Sequence, residues 1–252
     1  MRWAVLILTL VPSLALCSFE LPPLAPPPLP GGSAALRAGY EEVDGFGGYT
    51  SLDLFFPPLL LSLRSSSDRE GLYGETVLSL AYEARVGSGE LMFVLSYLGC
   101  HASGELGRMG KGRGAAVDLG ARIPIGPAKL ELFTWNLISA VRYHRLPLEG
   151  VEGRRYWEGA SRDLLLRLIV PLRGRGLEGE CGLFGRSPFL GLRWRPSDEV
   201  LLEAGWAFGR SIRGGLRIGL RAEVGPLTIG YRHMMGNLGV QSTAVDVTAE
   251  LR

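Results

Sequence analysis

From Gly214 to the C-terminus the chain keeps a two-residue apolar rhythm through three consecutive segments, and this period limits the possible folds more than any other feature. In Leu216-Arg217-Ile218-Gly219-Leu220-Arg221-Ala222-Glu223-Val224 every apolar side chain falls on one face and every charge on the other. A helix has a period of about 3.6 and would scatter those side chains around its axis, whereas a pleated strand separates them. Gly225-Pro226 reverses the chain, Leu227 to Arg232 repeats the pattern, and Ala244 to Leu251 repeats it again. The end of the chain is therefore expected to form antiparallel strands with one apolar and one charged face.

The same rhythm extends back through the chain. The body begins near Ala34, and alternation is first legible at Leu52, Leu54 and Phe56, after which Pro57-Pro58 marks a strand boundary or a tight turn before Leu59 to Ser66. Leu78, Leu80, Tyr82, Ala84 and Val86 oppose Ser79, Ala81, Glu83 and Arg85, and Gly87-Ser88-Gly89 turns the chain into a strand from Glu90 to Cys100. Val117, Leu119, Ala121 and Ile123 share a face. In Lys129 to Arg145 the phase slips, because Leu130 and Leu132 are followed by Phe133, Trp135 and Leu137, which predicts a β-bulge near Phe133. Leu164 to Leu172, Leu177 to Phe184, Phe189 to Trp194 and Val200 to Phe208 continue the series. Even-numbered closure of bacterial barrels then gives an antiparallel transmembrane β-barrel of about 12 strands, with 10 or 14 also allowed. Gly99 to Gly114 and Leu146 to Arg155 read as long loops, set against short turns at Gly126-Pro127-Ala128 and Gly174-Arg175-Gly176. Tyr97, Trp135, Tyr143, Trp157, Trp194, Trp206, Phe208 and Tyr231 lie toward segment ends, as aromatic girdles at a membrane interface would require.

The N-terminus predicts export. Arg2, an apolar run from Trp3 to Leu10, Pro12 and the small-residue region Ser13 to Cys17 fit a signal peptide over residues 1–17. Leu16 stands where acylation of Cys17 would want a small residue. Residues 18–33 hold Pro22, Pro23, Pro26, Pro27, Pro28 and Pro30, a composition that favours extended geometry and reads as a tether to a β-barrel domain over 34–252. After removal of the signal, Cys100 and Cys181 remain; an oxidising compartment permits a disulfide, but both fall in strand segments and are expected as packed, free thiols.

The face opposite the apolar one carries Glu83, Arg85, Asp118, Arg122, Asp163, Arg167, Glu203, Arg217, Arg221, Glu223, Arg232, Asp246 and Glu250. In a barrel these point into the lumen, and their mixed signs predict a paired, narrow polar interior rather than a one-signed selective pore. Gly205 and Gly219 on that face leave room for long side chains. A net charge of +2 lacks the basic excess of a nucleic-acid binder, so no nucleic-acid partner is expected. There is no His-Glu-x-x-His helix, no Cys-x-x-Cys pair and no Gly-x-Ser-x-Gly elbow, and His101, His144 and His233 occur singly. No cofactor and no metal is expected. Gly104 to Lys111 only approximates a phosphate loop, with Gly112 where Ser or Thr should stand.

Two family resemblances accompany these readings. Tyr231-Arg232-His233-Met234-Met235-Gly236-Asn237 resembles the active strand of outer-membrane lipid A 3-O-deacylases, which implies His233 as a base working with a serine and a carboxylate. That family places Ser two residues after His, where this chain has Met235; Ser242 and Glu250 lie further on. The second resemblance covers Leu216 to Leu251, with Gly225-Pro226-Leu227, Gly230-Tyr231 and Asn237-Leu238-Gly239. It is similar to the C-terminal hairpins of the long-chain fatty-acid transporter superfamily and its type IX secretion-associated offshoot. Such barrels have about 14 strands, within the even-numbered series, and a glycine-rich N-terminal stretch matched here only by Gly45-Phe46-Gly47-Gly48. The resemblance implies a barrel that admits hydrophobic molecules or assists secretion, and it transfers no binding residue.

The expectation is a non-enzymatic bacterial outer-membrane barrel that passes small or amphiphilic solutes or forms part of an envelope or secretion complex. Its partners would be outer-membrane lipid and lipopolysaccharide. The alternatives are an acyl hydrolase acting on lipid A or phospholipid through His233, and a soluble secreted β-domain.

Overall fold

The computed structural model describes residues 34–44, 47–104, 107–145, 147, 153–160, 162–173, 176–208, 215–236 and 239–251. The expected signal peptide and proline-rich tether lie outside the described residues. Fifteen strands and no helix are present among them: β1 (Ala34–Val43), β2 (Gly47–Phe56), β3 (Leu59–Ser67), β4 (Tyr73–Val86), β5 (Gly89–Gly104), β6 (Gly107–Ile125), β7 (Ala128–Arg145), β8 (Arg154–Glu158), β9 (Asp163–Pro171), β10 (Leu177–Phe184), β11 (Ser187–Ser197), β12 (Val200–Ala207), β13 (Gly215–Val224), β14 (Leu227–Gly236) and β15 (Gln241–Leu251).

Each strand pairs antiparallel with its neighbours, and β1 pairs with both β2 and β15, so the sheet closes. The closed ring contains 14 strands, and β8 is a fifteenth that pairs only with the far end of β7. This corrects the expected figure of about 12. The missing closing strand is β1, whose sequence Ala-Ala-Leu-Arg-Ala-Gly-Tyr-Glu-Glu-Val alternates, but with Ala38 between Leu36 and Tyr40 on its outer face. Small residues blur the apolar rhythm although the backbone pairs without a gap along Ala34 to Val43.

Both ends of the barrel follow from the turns. Pro57-Pro58, Gly87-Ser88, Gly126-Pro127, Asp198-Glu199 and Gly225-Pro226 are two-residue connections at the end that also holds the start of β1 and the end of β15. The opposite end carries the longest links, on the N-terminal side of β8 and between β12 and β13, although β5–β6 and β10–β11 are linked there by two residues and the tight-turn end holds a five-residue link between β9 and β10. Of Gly99 to Gly114, expected as a long loop, the described residues are instead strand: β5 and β6 stay paired from Glu90 and Arg122 out to Gly104 and Gly107. Its glycines fit a sheet because neighbours fill the space beside them: at Gly112 an added Cβ would lie 2.7 Å from Cys100 Sγ and 2.9 Å from the Tyr143 ring, and at Gly110 3.0 Å from the His144 carbonyl oxygen.

The bulge is present but displaced. Val117 pairs with Ile138 and Leu119 with Thr134, so two extra residues are accommodated in β7 opposite Asp118. Asn136 sits there with φ of 52°, a left-handed conformation that Asn tolerates better than most residues, and its backbone N–H donates to Asp118 Oδ1 at 2.6 Å. Two inserted residues preserve the inside–outside phase, so Phe133 and Trp135 both face the interior; the apolar side chains that suggested a slip belong to the inner wall.

The apolar strand faces point outward. Leu36, Leu52, Leu78, Leu95, Ile138, Leu190, Trp206, Leu220 and Val247 remain substantially exposed around the ring, far beyond the scattered apolar patches of a soluble monomer. Tyr97, Trp157, Trp194, Trp206 and Tyr231 lie on this outer surface, as a girdle requires. Trp135 does not: it is 7% exposed and packs inside against Phe133 and Phe184. Tyr143 also faces inward, stacked on Tyr156.

Candidate functional site in the barrel lumen

The interior is organised as a belt of charged side chains close to the tight-turn end. Four residues from the Gly126-Pro127 turn, Arg122 on β6 faces Glu131 on β7 at 3.6 Å and reaches Glu90 at 3.3 Å and Glu83 at 3.7 Å. Arg167 on β9 donates to Glu131, with Nε at 2.8 Å, and approaches Glu180 on β10 at 3.6 Å. Arg193 on β11 donates to Glu203 on β12 at 2.8 Å and approaches Glu178 at 3.8 Å. Over β1 to β3, Arg37 donates to Asp53 through Nε at 2.7 Å, and Ser62 donates to the other carboxylate oxygen at 2.5 Å. A serine row, Ser62, Ser79 and Ser96, continues the polar level over β3 to β5, with the Ser79 and Ser96 hydroxyls 2.8 Å apart.

Alternating signs make this belt sustainable. A charge drawn out of bulk water costs several kcal/mol unless it is paired and hydrogen-bonded, and Asp53 has no exposed surface while Arg167 and Glu131 keep 17% and 13% of theirs. Glycine provides the space. A Cβ at Gly191 would lie 2.6 Å from Glu180 Oε1, one at Gly230 2.6 Å from Asp246 Oδ1, and one at Gly219 3.3 Å from Glu203 Oε2. At Gly205, by contrast, the nearest atoms are the backbone of β11.

A central cavity of about 790 Å³ runs past this belt. Of the sequence-derived interior charges, Asp118, Arg122, Arg167, Glu203, Arg217, Arg221, Arg232 and Asp246 line it. Glu83 reaches the belt through Arg122. Arg85, Glu223 and Glu250 are exposed at the tight-turn rim, and Asp163 stands at the other end, at the start of β9, where its carboxylate accepts from the Leu164 N–H at 2.9 Å. Arg37, Asp53, Arg64, Glu131, Glu180 and Arg193 were not singled out from the sequence, yet all line the cavity or pair with residues that do. The signal was available, since Asp53 lies between Leu52 and Leu54, Glu131 between Leu130 and Leu132, and Arg193 between Leu192 and Trp194.

One wall of the interior is not charged. Ala81, Val94, Phe133 and Trp135 form a buried cluster, with Leu60, Met92, Leu165 and Phe184 packed against it. Half of 14 strands is seven, so β7 with Phe133 and Trp135 faces β15, and β5 and β6 face β13 and β14 with Arg217, Arg221 and Arg232. The cavity thus has an apolar patch beside the paired charges of Arg122, Glu131 and Arg167 on one side and an Arg-rich stretch on the other.

His233 does not join this interior through a catalytic arrangement. Its register partner is Thr243, whose Oγ1 lies 3.0 Å from Nδ1, on the same outward face as Tyr231 and Met235. Ser242 pairs with Met234 and points to the opposite face, and Glu250 lies seven positions from Thr243 along β15. Cys100 and Cys181 are free. No group of three or more metal-ligating side chains occurs among the described residues.

The fold is shared with known outer-membrane barrels. Omp33 of Acinetobacter baumannii aligns over 87% of this chain and 98% of its own at a TM-score of 0.53 and 8% identity. A Pseudomonas aeruginosa FadL homologue aligns over 87% and 90% at a TM-score of 0.51 and 10% identity. CymD, a monoaromatic hydrocarbon channel, aligns over 87% and 89% at 0.51 and 8%. No protein-family model and no curated relative matches the chain. At these identities the likeness concerns architecture alone.

Proposed function

We propose that this protein is an outer-membrane channel through which small, amphiphilic solutes pass without chemical change. The observation that carries the reading is the two-sided lumen: a continuous interior cavity with Phe133, Trp135 and Leu165 on one side and Arg217, Arg221 and Arg232 on the other. A solute with an apolar body and an anionic or polar end can satisfy both walls at once, whereas a fully apolar solute must desolvate the arginines and a multiply charged one must displace existing ion pairs. The outward apolar faces, the clustering of tight turns with both strand ends, and the fold of Omp33 and CymD support insertion in an outer membrane.

The test is permeation by the purified, refolded protein in proteoliposomes. An aromatic carboxylate should enter faster than a sugar of equal size, and Trp135→Arg, which fills the apolar wall with charge, should abolish the difference. Equal entry of both solutes would contradict the preference for amphiphiles, and no entry beyond protein-free vesicles would contradict the channel reading and leave a structural role in an envelope complex.

A further inference from the structure

The outer surface carries charge in one place above all. Among the described residues, the outward positions of β9 to β15 hold no Asp, Glu, Lys or Arg. On β5 to β8 they form registered rows. Tyr97, Ala115 and Ala140 align in an apolar row. One step further from the tight turns the row is Gly99, Arg113, Arg142 and Trp157, and the next is His101, Lys111, His144 and Arg155. Residues two apart on a strand share a face, so all of these side chains project from the outside of the wall.

Arg113 and Arg142 are direct cross-strand partners, and Lys111 and Arg155 flank His144 in the adjacent row. Like charges placed opposite one another on neighbouring strands destabilise the pair. Among the described residues no carboxylate occupies an outward position of β5 to β8, so none of those positions supplies a neutralising partner. Arg113 is 13 residues from Gly126, and a tilted membrane strand needs only about 9–11, so the basic rows begin where the apolar band ends, at the end opposite the chain termini. Trp157, 67% exposed beside Arg142, completes an interfacial edge.

We infer that this face binds the phosphates of a lipopolysaccharide, with the phosphorylated sugar head on Lys111, Arg113, Arg142 and Arg155 and the acyl chains on the apolar rows beneath. The inference rests on the outer-membrane reading. Arginine suits the role because its planar fork meets two phosphate oxygens at once, and a doubly phosphorylated head can span neighbouring strands about 4.8 Å apart. Ordinary anionic phospholipid offers one phosphate and would engage fewer of the cations.

Binding is measured with the full barrel in neutral-detergent micelles, titrated with diphosphoryl lipid A, enzymatically dephosphorylated lipid A, or phosphatidylglycerol. The wild type should prefer diphosphoryl lipid A to both others by about tenfold or more, equivalent to about 1.4 kcal/mol. Lys111→Gln/Arg113→Gln/Arg142→Gln should lose that preference while still binding the dephosphorylated lipid. Arg113→Gln and Arg142→Gln alone should each lose part of it, which covers a triple variant that fails to fold. Equal affinity for all three lipids, or unchanged preference in the single variants, would overturn the inference. A wild type that never enters micelles would instead overturn the outer-membrane reading on which it rests.

Discussion

Individual interior residues divide by what stands next to them. Gly230 meets only the end of the Asp246 side chain, which can rotate away, whereas a Cβ at Gly114 would lie 2.2 Å from the Ala140 carbonyl oxygen and 2.6 Å from Val141 Cα. Gly230→Ala should therefore cost under about 1 kcal/mol and Gly114→Ala about 3 kcal/mol, the upper range for overpacking. Urea unfolding in detergent micelles, followed by tryptophan emission, measures both; equal costs would contradict the assignment of soft and hard neighbours. Arg167 is a different case, because removing it takes the nearest cation from both Glu131, which keeps only Arg122 at 3.6 Å, and Glu180. Arg167→Ala should cost about 3 kcal/mol, and pairing it with Glu131→Ala should recover part of that loss.

At the scale of elements, the bulge in β7 decides what the lumen contains. It inserts two residues and leaves the phase intact, so Phe133 and Trp135 stay inside on the same parity as Glu131 and Val141. Asn136 at φ 52° is the pivot. Asn136→Gly should be close to neutral in stability, while Asn136→Val should cost about 1–2 kcal/mol, since a β-branched residue resists the left-handed region; thermal unfolding of the two variants separates them. Here the limits of the sequence become visible. Alternation identified Leu216 to Val224 and Leu164 to Val170 correctly because every outward residue except Ala222 is large and apolar. It failed where outward residues are small, as in β1, where glycine mimics a loop, as in Gly99 to Gly114, and where the inner wall is itself apolar, as at Phe133. The charged interior was partly legible for the same reason: charges between obvious apolar neighbours follow the period, but which arginine meets which glutamate depends on strand register, and register is a property of pairs of strands.

For the molecule as a whole, closure and inversion matter most. The β1–β15 seam holds ten successive register pairs from Ala34 with Leu251 to Val43 with Ser242, leaving neither strand as an open edge. A chain shortened to begin at Gly47 would expose β2 and β15 together, and should lose the difference in gel migration between unheated and heated samples that marks a closed barrel. The inversion is the arrangement of apolar side chains outside and ion pairs inside. It distinguishes a membrane barrel from a soluble one of equal strand number, and it makes opposite demands on two tryptophans of the same protein. The decisive measurement is fluorescence quenching of Trp206 and Trp135, each as the sole tryptophan, in vesicles whose acyl chains carry bromine. Trp206, exposed on the outside of β12, should be strongly quenched, and Trp135, packed against Phe133 and Phe184 in the interior, should be nearly untouched. Strong quenching of Trp135 with Trp206 unaffected, or no quenching of either in protein that has bound the vesicles, would contradict a barrel that faces lipid with its apolar side and encloses its charges.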